Sequence, residues 1–143
     1  MEEVNKRLQA KYADIQEHEV RHELLDAADA EYLVVAYGLM ARIAHRAAEI
    51  VRARGYNVGL LRPITLWPYP GKILHSLAPR LKGILVVEMN AGQMVEDVRL
   101  SVEGRTPVSF YGRMGGIIPS PDEVAEALER MITTTVTHPV EAN

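Results

Sequence analysis

The chain has 143 residues, of which 48% are hydrophobic and 24% charged, and its formal net charge is −3. These values are ordinary for a globular protein, and the length suits one domain with a sizeable core. The sequence contains no cysteine, which excludes disulfides, thiolate metal sites and cysteine nucleophiles within the chain. No apolar run approaches the roughly 20 residues of a membrane span, and the charged N-terminus is unlike a signal peptide. We therefore expect a cytoplasmic protein that does not enter a membrane.

The first 30 residues predict an acidic helical arm. Val4, Leu8, Tyr12 and Ile15 recur at helical spacing, so one stripe of the helix is apolar. A second helical piece, or a bent continuation, is predicted up to about Ala27. Nine acidic and four basic residues lie within residues 1–31, which argues against nucleic acid as the main partner. The arm cannot bury its stripe by itself, so it must dock on another surface.

The stretch HEVRH, from His18 to His22, matches the zinc-protease signature His18-Glu19-x-x-His22. On a helix the two histidines would share one face and could bind one Zn²⁺, with the glutamate as general base. A third ligand is also required, and this chain has Leu25 and Ala28 where the extended pattern has glycine and histidine.

We therefore expect no metal site in HEVRH. The more economical interpretation is a solvated helical face formed by its charged residues, with Val20 and Leu24 turned inward. The zinc-dependent hydrolase is kept as an alternative hypothesis, which stoichiometric zinc in chelator-washed protein would support.

From Glu31 onward, short apolar runs alternate with helical patterns, which predicts βαβ units and a parallel sheet covered on both faces. The predicted fold is a three-layer α/β/α domain with a mainly parallel sheet of four to five strands. It comprises residues 31–133, after the arm of residues 1–30 and before a loosely ordered tail, 134–143. Strands are predicted at 32–38, 57–62, 83–90 and 106–113, and helices at 39–55, 73–81, 91–104 and from Ser120 to about Thr133.

Several turn residues predict where the helices begin and end. Gly55 stands at the C′ position of the first helix of the domain, where a left-handed conformation favours glycine. Ser120 as N-cap, with proline next and Glu123 at the third helical position, predicts the start of the last helix. Asn90 with Gln93 is interpreted as a capping box, although a role in a site stays open.

Polar and glycine residues follow the predicted strands, and ligands of open parallel sheets bind beyond the carboxyl ends of the strands. Such an edge could hold a phosphate or a carboxylate. The candidate anion-binding residues are Arg62, Asn90, Gly92, Arg113, Gly115 and Gly116. No catalytic residue is predicted, because the nucleotide-binding and nucleophile motifs are missing from the sequence. His45, His75 and His138 are expected at the surface.

The segment RPITLWPYP, residues 62–70, contains three prolines, the single tryptophan and a tyrosine. Prolines fix the path of a chain, and tryptophan and tyrosine are favoured anchors of protein interfaces. Sealing of the core edge is the alternative role of the tryptophan. We predict an interface formed by Pro63, Trp67, Pro68 and Tyr69.

Three blocks of the sequence resemble one known family: YGLMARIAHRAAEIVRARGYNVGLLRPITLWPYP, GILVVEMNAGQMVEDVRL and GRMGGIIPSPDEV. They are similar to the C-terminal domain of the α subunit of 2-oxoacid:ferredoxin oxidoreductases, over about Asp26 to Leu128. In that family the segment is a transketolase C-terminal-like α/β domain. The pattern LRP-x-TLWP favours the 2-oxoglutarate or branched-chain branch.

The resemblance implies a non-catalytic domain of a multi-subunit enzyme that converts 2-oxoacids to acyl-CoA. Thiamine diphosphate, Mg²⁺, the iron–sulfur cluster and CoA would belong to the full complex, and none is expected in this chain. The implied partners are the β subunit, possible γ and δ subunits, and ferredoxin indirectly. The domain would serve packing between subunits, and its strand-end arginines and glycines could shape the approach of CoA. A third hypothesis is a free-standing module that binds a small anion at the sheet edge.

Overall fold

The computed structural model describes residues 1–137, which form five helices, a short 3₁₀ turn and one sheet. The elements in chain order are α1 (Glu2–His18), β1 (His22–Leu25), β2 (Tyr32–Val35), α2 (Gly38–Ala53), β3 (Val58–Pro63), α3 (Gly71–Leu77), the 3₁₀ turn (Ala78–Arg80), β4 (Gly83–Glu88), α4 (Met94–Val102), β5 (Val108–Gly112) and α5 (Pro121–Thr137).

The sheet has five strands in the order β1-β3-β2-β4-β5. Strands β2 to β5 are parallel to one another, and β2 lies at the centre, with Tyr32 opposite Val58 on β3 and Gly83 on β4. All four residues of β2 and all six of β4 are buried. Burial on both faces explains the uninterrupted apolar runs of these strands. The predicted parallel sheet is confirmed.

Helices cover both faces of the sheet, so the predicted three-layer arrangement is also confirmed. On one face, α2 and α5 pack over alternate strand residues such as Val34 and Leu85. On the other face, α3 and α4 cover the residues between them, including Leu33 and Ile84. The alternation of strand side chains thus divides the apolar residues between two half-cores.

Two of the predicted helix boundaries are confirmed by their hydrogen bonds. The amides of Gly55 and Tyr56 donate to the carbonyls of Arg52 and Val51 at 2.9 and 3.5 Å, and Gly55 has φ +98°, as in a Schellman motif. At α5, the amide of Glu123 donates to Ser120 Oγ at 3.2 Å, and the amide of Ser120 donates to Glu123 Oε2 at 2.8 Å. This reciprocal pair is the predicted capping box.

The helix predicted up to Ala27 is wrong. Residues 22–25 form β1, which pairs antiparallel with the edge of β3, so that Glu23 lies opposite Arg62 and Leu24 opposite Leu61. The edge of β3 offers unpaired backbone groups, and satisfying them outweighs the local helical pattern. Leu24 is 37% exposed, so the prediction that it turns inward is wrong as well.

The C-terminal boundary also differs from the prediction. Residues 134–137, assigned to the loosely ordered tail, continue α5 to Thr137. Threonine hydroxyls along this stretch donate to carbonyls of the preceding turn, as Thr134 Oγ1 does to Arg130 O at 2.9 Å. His138 and the rest of the predicted tail lie outside the described residues. None of the described helices has both the length and the apolar character needed to cross a membrane.

Candidate functional site at the carboxyl edge of the sheet

The six candidate anion-binding residues fall into two groups at the carboxyl edge of the sheet. Arg62 lies near the end of β3, whereas the others follow β4 and β5. Strand β2 stands between β3 and β4 and separates the two groups. The two arginines were expected at one edge, and the sheet order places them on different sides of its centre.

Glu88, the last residue of β4, is the most buried charged side chain at this edge, with 1% of its surface exposed. Its carboxylate accepts three backbone N–H groups at the start of α4, from Gln93, Met94 and Val95, at 3.2, 2.8 and 3.1 Å. These are donors that a helix N-terminus cannot satisfy internally. Asn90 Nδ2 donates a fourth hydrogen bond at 3.2 Å.

The capping box predicted for Asn90 and Gln93 is therefore wrong. Gln93 is the N-cap residue but makes no side-chain cap, because Glu88 reaches forward and takes that role. Asn90 instead closes its own turn: its Oδ1 accepts the amide of Gly92 at 2.7 Å. Glu88 was missed by the motif search. The signal for it was a lone acid at the end of the apolar run GILVV.

Arg113 follows β5 and is tied to its own domain by three hydrogen bonds, although its side chain stays 40% exposed. Its Nη2 is bonded to the carboxylate of Glu123, its Nε donates to the hydroxyl of Tyr111 at 3.2 Å, and its amide donates to Glu88 O at 3.2 Å. The hydroxyl of Tyr111 and the carboxylate of Glu123 raise the pKa of Arg113. The amide of Ser120 and the guanidinium of Arg113 lower the pKa of Glu123. Arg113 thus holds the loop after β5 to the start of α5.

A small cavity of about 360 Å³ opens beside this ion pair and is lined by Tyr111, Gly112, Arg113, Glu123, Glu126 and Arg130. Gly112 has no room for a side chain, because a Cβ would collide with the carbonyl of Asn90 and the ring of Phe110. Further along the loop, Gly115 and Gly116 have φ +69° and +75°, and a Cβ added at either position would meet nothing within 4 Å. The excess of glycine in GRMGG therefore has two causes: crowding at the first position and left-handed backbone at the last two.

Arg62 has a different role from Arg113. Its Nη1 lies 3.0 Å from Glu23 Oε2 on β1, directly across the antiparallel pair, and both side chains are about half exposed. The HEVRH stretch is joined to the same region, since Arg21 O accepts the amides of Ile64 and Thr65 at 3.0 and 3.2 Å. This end of β3 is a structural junction between the arm and the loop that follows.

Of the four predicted interface residues, two are buried, one is half-buried and one is mostly exposed. Pro63 and Pro68 are buried, and the Trp67–Pro68 peptide is cis. Trp67 is 56% exposed and meets the ring of Tyr12 edge-to-face, with 5.8 Å between centroids. Tyr69 is half-buried. An interface role of this segment therefore depends on Trp67, with the neighbouring residues fixing its position.

A cavity of about 790 Å³ lies between α1, the loop carrying Trp67, the start of α3 and the second half of α4. Tyr69 lines it, and its hydroxyl is a buried side-chain atom without a hydrogen-bond partner in the described part of the chain. Burial and the carboxylates of Asp97 and Glu88 raise the pKa of this hydroxyl. Burial, with Glu88 and Glu96, also raises the pKa of Asp97.

Exposed apolar side chains follow every parallel strand at the carboxyl edge. We call this set the apolar edge; its members are Leu39, Ile64, Trp67, Met89, Met114, Ile117 and Ile118, each between 36% and 64% exposed. An extended apolar surface of this kind is typical of a protein interface. Trp67 is the one member of this set that the sequence predicted as an interface residue.

The histidines do not converge. His18 ends α1 and His22 begins β1, so the two residues of HEVRH do not share a helical face. His45 lies 3.8 Å from Asp26, and His75 Nδ1 lies 3.3 Å from Ser101 O. Within residues 1–137, no three histidine, aspartate or glutamate side chains are grouped so that they could hold a metal ion. The zinc hypothesis required both histidines on one face of a helix, and the structure does not have that arrangement.

Comparisons with known proteins agree with the fold. Residues 30–124 match the family described as pyruvate:ferredoxin oxidoreductase core domain II, and the chain belongs to that family. The ketoisovalerate oxidoreductase subunit VorB of Methanothermobacter thermautotrophicus is 45% identical over 131 residues, which are 92% of this chain and 37% of that protein. The 2-oxoglutarate synthase subunit KorA of Methanothermobacter marburgensis is 33% identical over 103 residues, 72% of this chain and 28% of that protein.

Solved structures share the fold at low identity. A 2-oxoglutarate:ferredoxin oxidoreductase from Magnetococcus marinus, with 2-oxoglutarate, coenzyme A and succinyl-CoA bound, has a TM-score of 0.73 and 20% identity; the match covers 84% of this chain and 21% of that one. A split-gene transketolase, an inactive β4 tetramer, has a TM-score of 0.66 and 19% identity, with 79% and 41% covered. The chain spans about a third of the length of the curated relatives that it matches.

Proposed function

We propose that this chain acts as a non-catalytic packing domain of a ferredoxin-dependent 2-oxoacid oxidoreductase. The observation that carries the proposal is the apolar edge, a set of exposed apolar side chains that follow all four parallel strands. The charged groups of the same edge are engaged internally: Glu88 caps α4, Arg113 holds Glu123, and Arg62 holds Glu23. An edge of this composition suits contact with another protein surface rather than proton transfer.

The redox and thiamine chemistry implied by the resemblance would belong to other polypeptides. The side chains of this chain do not suit those groups, because it has no cysteine to hold an iron–sulfur cluster. The edge carboxylate that a cation could use, Glu88, already accepts four hydrogen bonds.

The test is co-purification with the other oxidoreductase polypeptides from the source organism. The double variant Ile117→Asp, Ile118→Asp places two charges in the apolar edge and should weaken assembly at least about tenfold, because charges buried without partners are costly. Val136→Asp is the matched control, since Val136 is 66% exposed near the end of α5, away from this edge. Equal assembly of both variants, with unchanged circular dichroism, would refute the proposal.

A branched-chain 2-oxoacid is the substrate class we propose for the complete enzyme. The support is the higher identity to the ketoisovalerate oxidoreductase subunits, 45% and 46%, than to the 2-oxoglutarate synthase subunits, 32% to 34%. Ferredoxin reduction by the assembled enzyme should show a larger kcat/KM with 2-oxoisovalerate than with 2-oxoglutarate. The reverse order would overturn this assignment and leave the packing role untouched.

A contribution to CoA access is proposed for the Arg113 side of the edge. The supporting observation is the open, left-handed backbone of Gly115 and Gly116 next to a half-exposed guanidinium. Arg113→Ala should raise the KM for CoA at least about threefold, as expected when a charged hydrogen bond is lost. Arg62→Ala should have a smaller effect, since β2 separates the two positions. Unchanged CoA titrations with both variants would end this proposal.

A further inference from the structure

The sulfur of this chain is all in methionine, because the sequence has six methionines and no cysteine. Three of the six belong to the two half-cores and are each 4% exposed: Met40, Met94 and Met131. Met1 is fully exposed at the N-terminus. The other two, Met89 and Met114, are 36% and 64% exposed and are members of the apolar edge. Apart from Met1, the methionines are thus either buried in the core or exposed at the proposed packing surface.

Met89 and Met114 follow neighbouring parallel strands at the carboxyl edge of the sheet. Met89 comes directly after Glu88, the last residue of β4. Met114 comes two residues after Gly112, the last residue of β5. Glu88 and Gly112 are register partners, and the amide of Arg113 donates to Glu88 O at 3.2 Å, so the pairing of the two strands extends to this edge. One short stretch of the edge therefore carries both exposed thioethers.

A thioether is oxidised by transfer of an oxygen atom. A hydroperoxide gives one oxygen to the sulfur: its O–O bond breaks, and the S=O bond of methionine sulfoxide forms. The sulfur loses two electrons, and the hydroperoxide is reduced to water or to an alcohol. Because no proton has to leave the thioether first, the exposure of each methionine decides which of them reacts. The product is polar, whereas methionine is apolar.

Oxidation at these two positions changes the surface and leaves the core alone. The other members of the apolar edge are leucine, isoleucine and tryptophan side chains, so two sulfoxides place polar groups in an apolar surface. Burying a polar group without a hydrogen-bond partner is costly. Met89 and Met114 lie outside both half-cores, so the packing of the fold does not depend on them. The oxidation therefore acts on association rather than on folding.

We propose that Met89 and Met114 form a modification site at which a hydroperoxide oxidises the thioethers to sulfoxides and thereby prevents the apolar edge from packing against other polypeptides. The effect on packing rests on the proposed function, whereas the selectivity of the oxidation does not. Oxidation acts on the unassembled chain, because assembly covers the two side chains. The modification is reversible, since methionine sulfoxide reductases restore the thioether.

The selectivity is tested on the folded chain by timed treatment with hydrogen peroxide and peptide mapping by mass spectrometry. Met114 should be oxidised at a rate within about threefold of that of Met1, the exposed reference, and Met89 more slowly than Met114. The three buried methionines should react at least about tenfold more slowly than Met114, because they are reached only after local opening. Equal rates at the buried methionines and at Met114 would overturn the proposal.

The effect on packing is tested by assembly with the other oxidoreductase polypeptides. Peroxide treatment that oxidises only Met89, Met114 and Met1 should weaken assembly at least about tenfold with unchanged circular dichroism. Treatment with methionine sulfoxide reductases should restore assembly. The double variant Met89→Leu, Met114→Leu keeps the edge apolar and should assemble like the parent, both before and after peroxide. Met40→Leu is the matched control, since it replaces a buried methionine with a side chain of similar volume and should leave the sensitivity to peroxide unchanged.

The possible outcomes separate this proposal from the proposed function. An equal loss of assembly after peroxide in the parent and in the double leucine variant would overturn the modification site, and so would a loss that the reductases do not reverse. If the Ile117, Ile118 double variant disrupts assembly while oxidation of Met89 and Met114 does not, the modification site is refuted and the packing role stands. If neither change affects assembly, both are refuted. Oxidation of Met114 in the assembled complex as fast as in the isolated chain would also refute the site, because the packed edge should cover it.

Discussion

At the scale of single residues, the side chain that organises the candidate site is Glu88. It is an acid at the end of an apolar strand, and it accepts hydrogen bonds from three backbone amides and one side-chain amide. A buried carboxylate with four donors is stable where it is, since each donor would otherwise be left unpaired. Glu88 thereby fixes the angle at which α4 leaves β4 and positions the turn that contains Asn90.

Replacing Glu88 by glutamine should cost the protein about 2–4 kcal/mol of unfolding free energy, because the new NH₂ group faces donors and leaves some of them unsatisfied. Urea unfolding followed by circular dichroism measures the change. Glu96→Gln is the control: Glu96 lies on α4, the helix that Glu88 caps, is exposed and pairs with Arg99, so the cost should stay below about 0.5 kcal/mol. Similar losses in both variants would contradict the role given to Glu88.

Glu123 has a folded-state pKa below its ordinary value, because it accepts the amide of Ser120 and pairs with Arg113. Because the folded-state pKa is lowered, the stability that Glu123 contributes to the fold is fully present above its unfolded pKa, about 4.3. This contribution is lost as the pH falls through the folded-state pKa. Glu123→Gln should therefore be less stable than the parent at pH 7, and the difference should shrink towards pH 3. Glu126→Gln, one turn along α5, should differ little from the parent at either pH. A difference in unfolding free energy between Glu123→Gln and the parent that stays constant from pH 7 to pH 3 would contradict this account.

At the scale of elements, the segment before the α/β body consists of two unlike pieces. Helix α1 buries none of its residues, whereas β1 completes the sheet by pairing four residues with β3. The same 25 residues thus contain one element that belongs to the body and one that projects from it. Hydrogen bonding to an open strand edge distinguishes them, since α1 has no comparable set of backbone contacts with the body.

Removal of residues 1–19 should change the unfolding free energy by less than about 1 kcal/mol, because little buried surface is lost. Removal of residues 1–25 should cost clearly more, since it takes away β1 and leaves the edge of β3 unpaired and open to aggregation. Thermal unfolding and light scattering of the two truncated chains measure these effects. Equal loss in both would show that α1 contributes to the stability of the body.

At the scale of the whole molecule, the sheet separates two half-cores and carries the candidate site at its carboxyl edge. Its apolar edge combines side chains from the ends of β2, β3, β4 and β5, which are far apart in the sequence. Parallel strands connected by helices bring all their carboxyl ends together, so residues from four loops share one surface. The proposed packing role concerns this surface.

The isolated chain should bind a dye that is sensitive to apolar surface, 1-anilinonaphthalene-8-sulfonate, although it is folded. Ile117→Ser with Ile118→Ser should lower that fluorescence by about half and leave the free energy of unfolding within about 0.5 kcal/mol, since exposed side chains contribute little to folding. Unchanged fluorescence would show that the apolar edge is not an accessible patch in solution.

Much of the fold followed from local patterns. The runs YLVVAYG, NVGLLR and GILVVEMN predicted buried parallel strands, and Gly55 and the Ser120–Glu123 pair predicted helix ends that the hydrogen bonds confirm. The site was less predictable. Arg62 and Arg113 were placed at one edge correctly, but their separation by β2 depends on strand order, which no local pattern encodes.

The sequence by itself determined the class of the fold, the positions of the buried strands and the resemblance that leads to the family, because each depends on short-range periodicity or on motifs. The tertiary structure decided the rest. It turned residues 22–25 of a helical pattern into a strand, because the edge of β3 provided partners at long range. It also decided that Glu88 rather than Asn90 and Gln93 caps α4, because this depends on which side chains the packed sheet brings within reach of the helix N-terminus.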